Sequence, residues 1–281
     1  MERKNFYSKV LLFGEYGIIS NSNALSVPFK EFYGFLNKST KLNQDQKHSN
    51  DELIELYHFI YKNSTINDVI DIQNLKKDLE LGLYFDSNIP IESGVGSSGA
   101  LVASIFHKYS RIDVNNLEIM EIKNLLSIIE SKFHGKSSGL DPLVSFHSKP
   151  ILLSNQKIKL LDDIDYRDYR IYLINSNINA STKEMIEMFN MKMKDTDFNA
   201  FFNNDFIGKT NVCIDNLLNN SSSFLFLQGL CLPLLAQRQK EGTQDHGNQF
   251  LLIHRYYHTS PLGARVTQTQ LHLLQRWRYT L

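Results

Sequence analysis

The chain has 281 residues, enough for one large domain or two modest ones, and 42% of them are hydrophobic against 21% charged. This balance supplies the apolar side chains of a real core and excludes an intrinsically disordered or collagen-like chain. Thirty basic residues balance thirty acidic ones, so the net charge is zero, which excludes the strongly basic surface of a general nucleic-acid or membrane-surface binder.

The first half of the chain begins with a buried strand. Tyr7–Phe13 is almost continuously apolar, and Gly14 ends the run. The spacing of apolar residues then predicts helices over Asp51–Lys62 and Ile70–Leu81. After a loop rich in glycine and serine, the apolar run Ala100–Phe106 predicts a buried helix.

Three further helices and one more strand are predicted after residue 116. The helices cover residues 117–132, 183–193 and 198–218, with Ser181 and Thr182 as capping residues, and the strand covers Arg170–Ile174. Strands interspersed with helices are typical of both α+β and α/β proteins, and the elements alone leave both fold classes open.

Cysteines and apolar runs indicate a cytoplasmic protein. Cys213 and Cys231 are too few for a disulfide framework or a cysteine-based zinc site. The apolar run Val10–Phe13 is too short for a secretory signal, and the longest run, Phe224–Ala236, is interrupted and too short to span a bilayer. We therefore expect a soluble protein that binds neither nucleic acid nor membrane.

The segment Pro90–Ala100 carries the strongest local signal, with three glycines within six residues. Glycines let the backbone turn tightly and approach a ligand, and the helix that follows would direct its N–H groups at the loop. The pattern predicts a phosphate cradle, to which Ser97 and Ser98 would add hydroxyls for a phosphate oxygen or Mg²⁺. A flexible loop capped by serine is the alternative. No lysine follows the last glycine, which excludes the lysine-containing P-loop.

A second group of candidate residues lies between residues 130 and 141. Glu130 lies towards the end of an apolar helix and Asp141 follows a loop of small residues, so the two would suit a magnesium ligand and an acceptor for a hydroxyl proton. Pro142 is expected to bias Asp141 away from helical geometry. Two alternatives stay open: Glu130 and His134 as an i, i+4 metal pair, or Asp141 as a loop cap beside a structural histidine.

Lys9 interrupts the otherwise apolar first strand. A lysine inside a buried strand needs a partner, and Asp141 is the candidate because a lysine charge would favour its ionised form. The alternative is an edge strand on which Lys9 faces solvent.

Together these segments resemble the GHMP kinase superfamily, and mevalonate kinases in particular. Lys9–Tyr16 is similar to the opening strand of that family, and Pro90–Ala100 to its P-x-x-x-G-L-G-S-S-A motif. His134–Asp141 is similar to the mevalonate kinase segment H-G-x-x-S-G-x-D, and Ser181–Lys183 to the segment that opens the C-terminal half. The order and separation of the four segments agree with the family over roughly residues 6–220.

The resemblance implies a two-lobed α+β kinase, with a ribosomal-protein-S5-like N-terminal lobe and a ferredoxin-like C-terminal lobe. ATP, Mg²⁺ and a small alcohol would meet between the lobes. Asp141 would accept or orient the proton of the attacking hydroxyl, Lys9 would pair with Asp141, and Glu130 with one serine of the pair, Ser98 rather than Ser97, would hold Mg²⁺. Glu15 and Ser138 would support the substrate. The loop around the ATP phosphates would comprise Gly94, Val95, Gly96, Ser97, Ser98, Gly99 and Ala100.

The chain departs from the family pattern near its C-terminus. Val95 and Gly99 replace a leucine and an alanine of the loop motif, and the family's third, glycine-rich motif is missing. Residues 229–281 contain 1 Lys, 1 Asn and 1 Ile but 7 Gln, against 20 Lys, 25 Asn and 24 Ile in residues 1–228. The tail is therefore either a basic, Gln-rich segment that binds a partner or a segment that arose separately from the rest.

From these features we predict an ATP-binding lobe over residues 1–165, the start of a C-terminal lobe over residues 166–228 and a divergent tail over residues 229–281. The predicted reaction is phosphorylation of mevalonate to 5-phosphomevalonate in isoprenoid biosynthesis. Phosphomevalonate, a sugar or homoserine are the alternative substrates, and a non-catalytic protein of the same fold is the alternative function because the C-terminus is altered. The resemblance is compatible with a homodimer.

Overall fold

The computed structural model describes residues 3–20, 22–91, 93–164, 169–174, 182–219 and 250–255. The strands are β1 Phe6–Phe13, β2 Ala24–Lys38, β3 Leu83–Ser87, β4 Ile151–Ser154, β5 Lys157–Leu160, β6 Tyr169–Ile174 and β7 Phe250–Arg255. The α-helices are α1 Gln44–Lys62, α2 Ser64–Asn67, α3 Ile72–Glu80, α4 Ser97–Tyr109, α5 Ile119–His134, α6 Leu140–His147, α7 Thr182–Lys192, α8 Thr196–Phe201 and α9 Ile207–Leu218.

A five-stranded antiparallel sheet organises the first part of the chain. The long strand β2 pairs with β1 on one side and with β3 and β4 on the other, and β5 pairs with β4. Gly34 of β2 pairs with both Phe6 of β1 and Ser87 of β3, so β1 and β3 lie on opposite sides of β2. The expected α+β fold is confirmed, and the structure shows that the strands of this sheet pair in antiparallel directions.

An irregularity in the pairing of β1 determines which side chains face the helices. The register between β1 and β2 shifts between Tyr7 and Ser8. Phe6 packs in the main core, whereas Val10 and Leu12 pack in a second core on the other side of the sheet, although a regular strand would place all three on one face. Lys9 consequently lies on the side of the sheet that is covered by α4 and α6.

The main core lies between one face of the sheet and helices α1, α3, α4, α5 and α6. Its most completely buried side chains include Phe106 of α4 and Leu126 of α5, which are 0% exposed. Helix α4 is apolar on nearly all sides because it is covered by the sheet and by its neighbouring helices. The apolar run that predicted a buried helix therefore corresponds to the central helix of this core.

Helix α9 packs on the opposite face of the sheet. Ile214 and Leu217 of α9 lie against Val10 and Val27 of the sheet. Strands β6 and β7 form a separate two-stranded antiparallel sheet, so that a strand from the compositionally unusual tail pairs with the strand predicted over Arg170–Ile174. The remainder of that tail lies outside the described residues.

Contacts between aromatic rings connect the turn after β1 to α7 and to the residues that follow α8. Tyr16 has a positive φ of 57° and stacks on Phe189 of α7, with 4.9 Å between ring centroids. Phe189 in turn contacts Phe202, which lies in a π-helical turn, Phe202–Phe206. The single helix predicted over residues 198–218 is therefore two α-helices joined by this turn.

A charged cluster stabilises the end of α4 that is remote from the glycine-rich loop. Asp78 of α3 accepts hydrogen bonds from Lys38 and from the hydroxyl of Tyr109, at 2.6 Å for the latter, and lies 3.0 Å from the amine of Lys108. Burial alone would raise the pKa of Asp78, but these three partners outweigh it and lower the pKa to about 2.

No helix in the described ranges is long and apolar enough to cross a membrane.

Candidate active site

The glycine-rich loop is held against β1 by backbone contacts. The backbone N–H of Lys9 donates to the carbonyl of Val95 at 2.9 Å, and Val95 itself is buried. Gly96 has a φ of 81°, and a Cβ at this position would lie 2.9 Å from Cγ of Lys9. Only glycine combines this backbone conformation with this close approach, so the loop needs Gly96 for a geometric reason.

The loop ends at the N-terminus of α4, which has no side-chain cap. Gly96 occupies the capping position without a side chain, and the helix runs from Ser97 for 13 residues. The N–H groups of the first turn and the positive end of the helix dipole therefore face the loop. This geometry can hold a phosphate group, as the sequence pattern predicts.

Glu130 of α5 lies beside the start of α4. The hydroxyl of Ser98 donates to its Oε1 at 3.4 Å, and the hydroxyl of Ser137 donates to its Oε2. Oγ of Ser98 also lies 3.1 Å from Nε2 of His134. Of the two serines that the sequence offered, Ser98 is the one that contacts the carboxylate.

The Glu130 carboxylate lies in an environment that favours a nearby cation. The residue is only 3% exposed, and burial, with a further contribution from the charge of Asp141, raises its pKa to about 8. Hydrogen bonds from Ser137 and Ser98 and the charge of Lys9 act in the opposite direction without cancelling the effect of burial. A divalent cation at this carboxylate would offset the remaining cost of its negative charge.

Asp141 and Lys9 form the ion pair that the sequence analysis predicts. Nζ of Lys9 lies 3.0 Å from Oδ2 of Asp141, with side chains that are 11% and 36% exposed. Lys9 is therefore buried rather than facing solvent, although β1 pairs only with β2 among the described strands. The glycine-rich loop and helices α4 and α6 cover the side of β1 on which Lys9 lies.

The expectation that Pro142 moves Asp141 out of helical geometry is wrong. Asp141 lies in the first turn of α6, Leu140–His147, and Pro142 follows it within the same turn. A proline is tolerated there because the first N–H groups of a helix have no intrahelical acceptor. The helix N-terminus also favours the negative charge of Asp141.

Close contact between α4 and α6 brings the loop and Asp141 together. A Cβ on Gly99 would lie 2.9 Å from the backbone carbon of Asp141 and from the nitrogen of Pro142. The absence of a side chain at Gly99 therefore permits the observed distance between the two helix starts.

The oxygen donors in this site fit a magnesium ion that is shared with phosphate groups. Ser98 and Glu130 offer a hydroxyl and a carboxylate, which are oxygen ligands of the kind that Mg²⁺ prefers. Within the described residues, no group of three or more histidine, cysteine, aspartate or glutamate side chains could hold a metal. The i, i+4 metal pair of Glu130 and His134 thus lacks a third protein ligand there, whereas a phosphate-bound Mg²⁺ takes further oxygens from the nucleotide and water.

Not all predicted site residues meet at this point. Lys9, Ser98, Glu130 and Asp141 lie together, whereas Glu15 is exposed in the turn after β1 and Ser138 is exposed before α6. The hydroxyl of Ser138 accepts a hydrogen bond from the N–H of Leu140 at 3.3 Å, which caps the start of α6. The structure describes no contact between the side chain of Glu15 and the ion pair.

One residue of the site, Ser137, had no role in the sequence analysis, and it contacts Glu130. His134, for which the sequence analysis left a metal pair with Glu130 and a structural role open, contacts Ser98. Both belong to the segment His134–Asp141, but local sequence does not indicate that its loop folds back on the preceding helix. The sequence signal for this fold-back was the run of small residues between Glu130 and Asp141.

Comparison with known proteins confirms the resemblance. Residues 45–149 match the family described as GHMP kinases N terminal domain. A mevalonate kinase from Methanocaldococcus jannaschii is 26% identical over 169 residues, which are 54% of this chain and 54% of that protein. The chain thus aligns with about half the length of this curated relative.

Solved structures share the fold over nearly the whole chain. A mevalonate kinase from L. major, in complex with R-mevalonate, is 17% identical with a TM-score of 0.58 and covers 98% of this chain and 90% of that chain. A phosphomevalonate kinase from Streptococcus pneumoniae is 12% identical with a TM-score of 0.55 and covers 100% and 96%. The chain therefore shares the α+β fold of these two kinases.

Proposed function

We propose that this chain, which carries a GHMP kinase N-terminal domain, is an ATP-dependent kinase of a small alcohol. The observation that carries the proposal is the ion pair of the buried Lys9 and the half-buried Asp141, beside the uncapped start of α4 and the Glu130 carboxylate. Phosphoryl transfer needs mainly positioning and charge neutralisation, and these groups supply both.

Each group has a distinct part in the proposed reaction. The loop Gly94–Ala100 would hold the ATP phosphates, and Ser98 with Glu130 would bind Mg²⁺, which neutralises phosphate charge when it is bound. Asp141 would accept the proton of the attacking hydroxyl or orient that hydroxyl. Lys9, fixed by its ion pair, would hold Asp141 in place and present its positive charge to the transferred group.

We propose mevalonate as the substrate and 5-phosphomevalonate as the product, in isoprenoid biosynthesis and in the cytoplasm. The segment His134–Asp141 and the mevalonate kinase from Methanocaldococcus jannaschii support this choice. Phosphomevalonate is the alternative, supported by the similar fold of a phosphomevalonate kinase, and sugars and homoserine remain alternatives from the resemblance. The proposed lobes are residues 1–165 and 166–228, followed by the tail of residues 229–281.

A non-catalytic role is the second candidate function, and the composition of residues 229–281 favours it. This segment lacks the third glycine-rich motif of the superfamily, so catalysis would have to proceed with the groups of the N-terminal lobe. The presence of Lys9, Ser98, Glu130 and Asp141 in one site supports the kinase instead, because a protein that had long been inactive would be expected to have lost some of these residues.

A coupled assay of ADP release tests the proposal. The full chain is mixed with Mg·ATP and, separately, with mevalonate, phosphomevalonate, homoserine and galactose, and we expect turnover with mevalonate. Asp141→Ala should remove nearly all turnover and leave nucleotide affinity largely intact. Asp162→Ala is the matched control, because Asp162 is fully exposed and its ion pair among the described residues is with Lys149, and it should behave as wild type.

The outcomes separate the candidates. Turnover with another acceptor would change the substrate but keep the reaction. Binding of Mg·ATP without turnover on any acceptor would favour the non-catalytic protein. Ordinary turnover by Asp141→Ala would contradict the role of Asp141.

A further inference from the structure

The hydroxyl of Ser137 lies between the candidate magnesium ligand and the helix that carries Asp141. It donates a hydrogen bond to Oε2 of Glu130 and accepts one from the N–H of Gly139 at 2.9 Å. Gly139 occupies the capping position of α6, two residues before Asp141. The Ser137 hydroxyl thus connects the Glu130 carboxylate to the start of α6, the helix that carries Asp141.

Ser137 is itself fixed on α5. Its carbonyl accepts a hydrogen bond from the hydroxyl of Ser127 at 2.7 Å, and Ser127 lies one turn before Glu130 on the same helix. Three hydrogen bonds therefore hold the backbone and the side chain of this one residue. A loop residue held in this way can restrict the orientation of a neighbouring side chain.

Ser137 and Ser98 hold the two oxygens of the Glu130 carboxylate separately. Ser98 contacts Oε1 from the start of α4, and Ser137 contacts Oε2 from the loop before α6. The carboxylate plane is thereby fixed with Oε1 towards Ser98, the second proposed metal ligand. Each oxygen has further acceptor capacity, so these contacts orient the carboxylate without blocking a metal.

We propose that Ser137 is a positioning residue that orients Glu130 for Mg²⁺ and couples this orientation to the start of α6. The inference rests on the proposed function, because it assigns Ser137 a role in the same site. Residues that hydrogen-bond to a metal ligand commonly change metal affinity by about 10- to 100-fold when they are removed.

The test measures how much Mg²⁺ strengthens the binding of ADP, without any turnover. Calorimetry gives the dissociation constant of ADP for the full chain in EDTA and in excess Mg²⁺, and their ratio is compared between variants. Ser137→Ala should lower this ratio by about tenfold. Ser137→Thr keeps the hydroxyl and should retain the ratio within about twofold of wild type.

Ser131→Ala is the matched control, because Ser131 lies on α5 next to Glu130. The hydroxyl of Ser131 donates to the carbonyl of Ile128 and not to the site, so this variant should keep the wild-type ratio. Should Ser137→Ala fail to fold, Ser137→Cys replaces it, because a thiol of similar size is only a weak donor and should lower the ratio as well.

The results distinguish this inference from the proposed function. A wild-type chain whose ADP affinity does not depend on Mg²⁺ would contradict the magnesium site of the proposed function. A wild-type chain with that dependence and a Ser137→Ala variant with the same ratio would overturn the role of Ser137. Equal loss of affinity with and without Mg²⁺ would also overturn it, because it would indicate a purely structural effect.

Discussion

Replacing Gly99 by alanine tests whether the contact between α4 and α6 determines the position of Asp141. The new Cβ would lie 2.9 Å from the backbone of Asp141 and Pro142 and 3.1 Å from Cβ of Asp141. Favourable carbon contacts lie at about 3.5–4.0 Å, so the two helices must separate by roughly 0.5–1 Å. The neighbouring atoms are mostly backbone, so no side-chain rotation relieves the contact.

Two opposing terms determine the change in stability. Alanine in a helix is favoured over glycine by about 0.8–1 kcal/mol, which would stabilise the variant. Overpacking in a well-packed region costs about 1–3 kcal/mol. We therefore expect a net loss of roughly 0–2 kcal/mol in the free energy of unfolding. Turnover should fall by about 10- to 100-fold, because a displacement of up to about 1 Å at reacting groups has effects of that size.

Urea unfolding and the coupled ADP-release assay measure the two effects. Gly208→Ala is the matched control, since Gly208 lies in α9 and a Cβ there would meet no atom of the described residues within 4 Å. This control should gain up to about 1 kcal/mol and keep its turnover. A Gly99→Ala variant that gains stability as the control does, with unchanged turnover, would refute the reasoning.

Three further predictions concern the ion pair, a charged cluster and the core. Lys9→Met should lower turnover by at least about 100-fold, because it removes the positive charge from the site. Circular dichroism should show that the variant is still folded. Near-normal turnover would contradict a role for this charge. Asp78→Asn should lose about 1–2 kcal/mol at pH 7, because the folded pKa of about 2 lies below the ordinary value near 3.8. This stability is present above about pH 4 and disappears as pH falls towards 2, so urea unfolding across that range should show the difference narrow, and a constant difference would argue against it. Phe106→Ala should lower the free energy of unfolding by about 3–5 kcal/mol, measured by denaturant, since Phe106 is 0% exposed, and a loss below about 1 kcal/mol would place it outside the core.

Local sequence was sufficient where a segment's own residues determine its structure. The strand Phe6–Phe13 and the helix Ser97–Tyr109 were predicted nearly in place because both are buried on several sides and therefore continuously apolar. The helix α1 begins at Gln44 rather than Asp51, because its first turns are polar and start from a capping box of Asn43 and Gln46 rather than from an apolar face.

The central strand could not be predicted from its own residues. Strand β2, Ala24–Lys38, contains Pro28, Gly34 and several charged residues, which oppose a strand assignment. It is stabilised instead by pairing with three other strands, and these pairings join residues that are far apart in the sequence. Tertiary contacts therefore override the local preference.

The sequence by itself determined the chemical groups of the site and their order along the chain, because the glycine-rich loop and the segment His134–Asp141 are short motifs with local physical constraints. Only the tertiary structure decided that Lys9 is buried and reaches Asp141, that Ser98 rather than Ser97 meets Glu130, and that Ser137 holds the other oxygen of that carboxylate. These contacts depend on the register of β1 and on the close approach of α4 and α6, which arise from packing between distant segments.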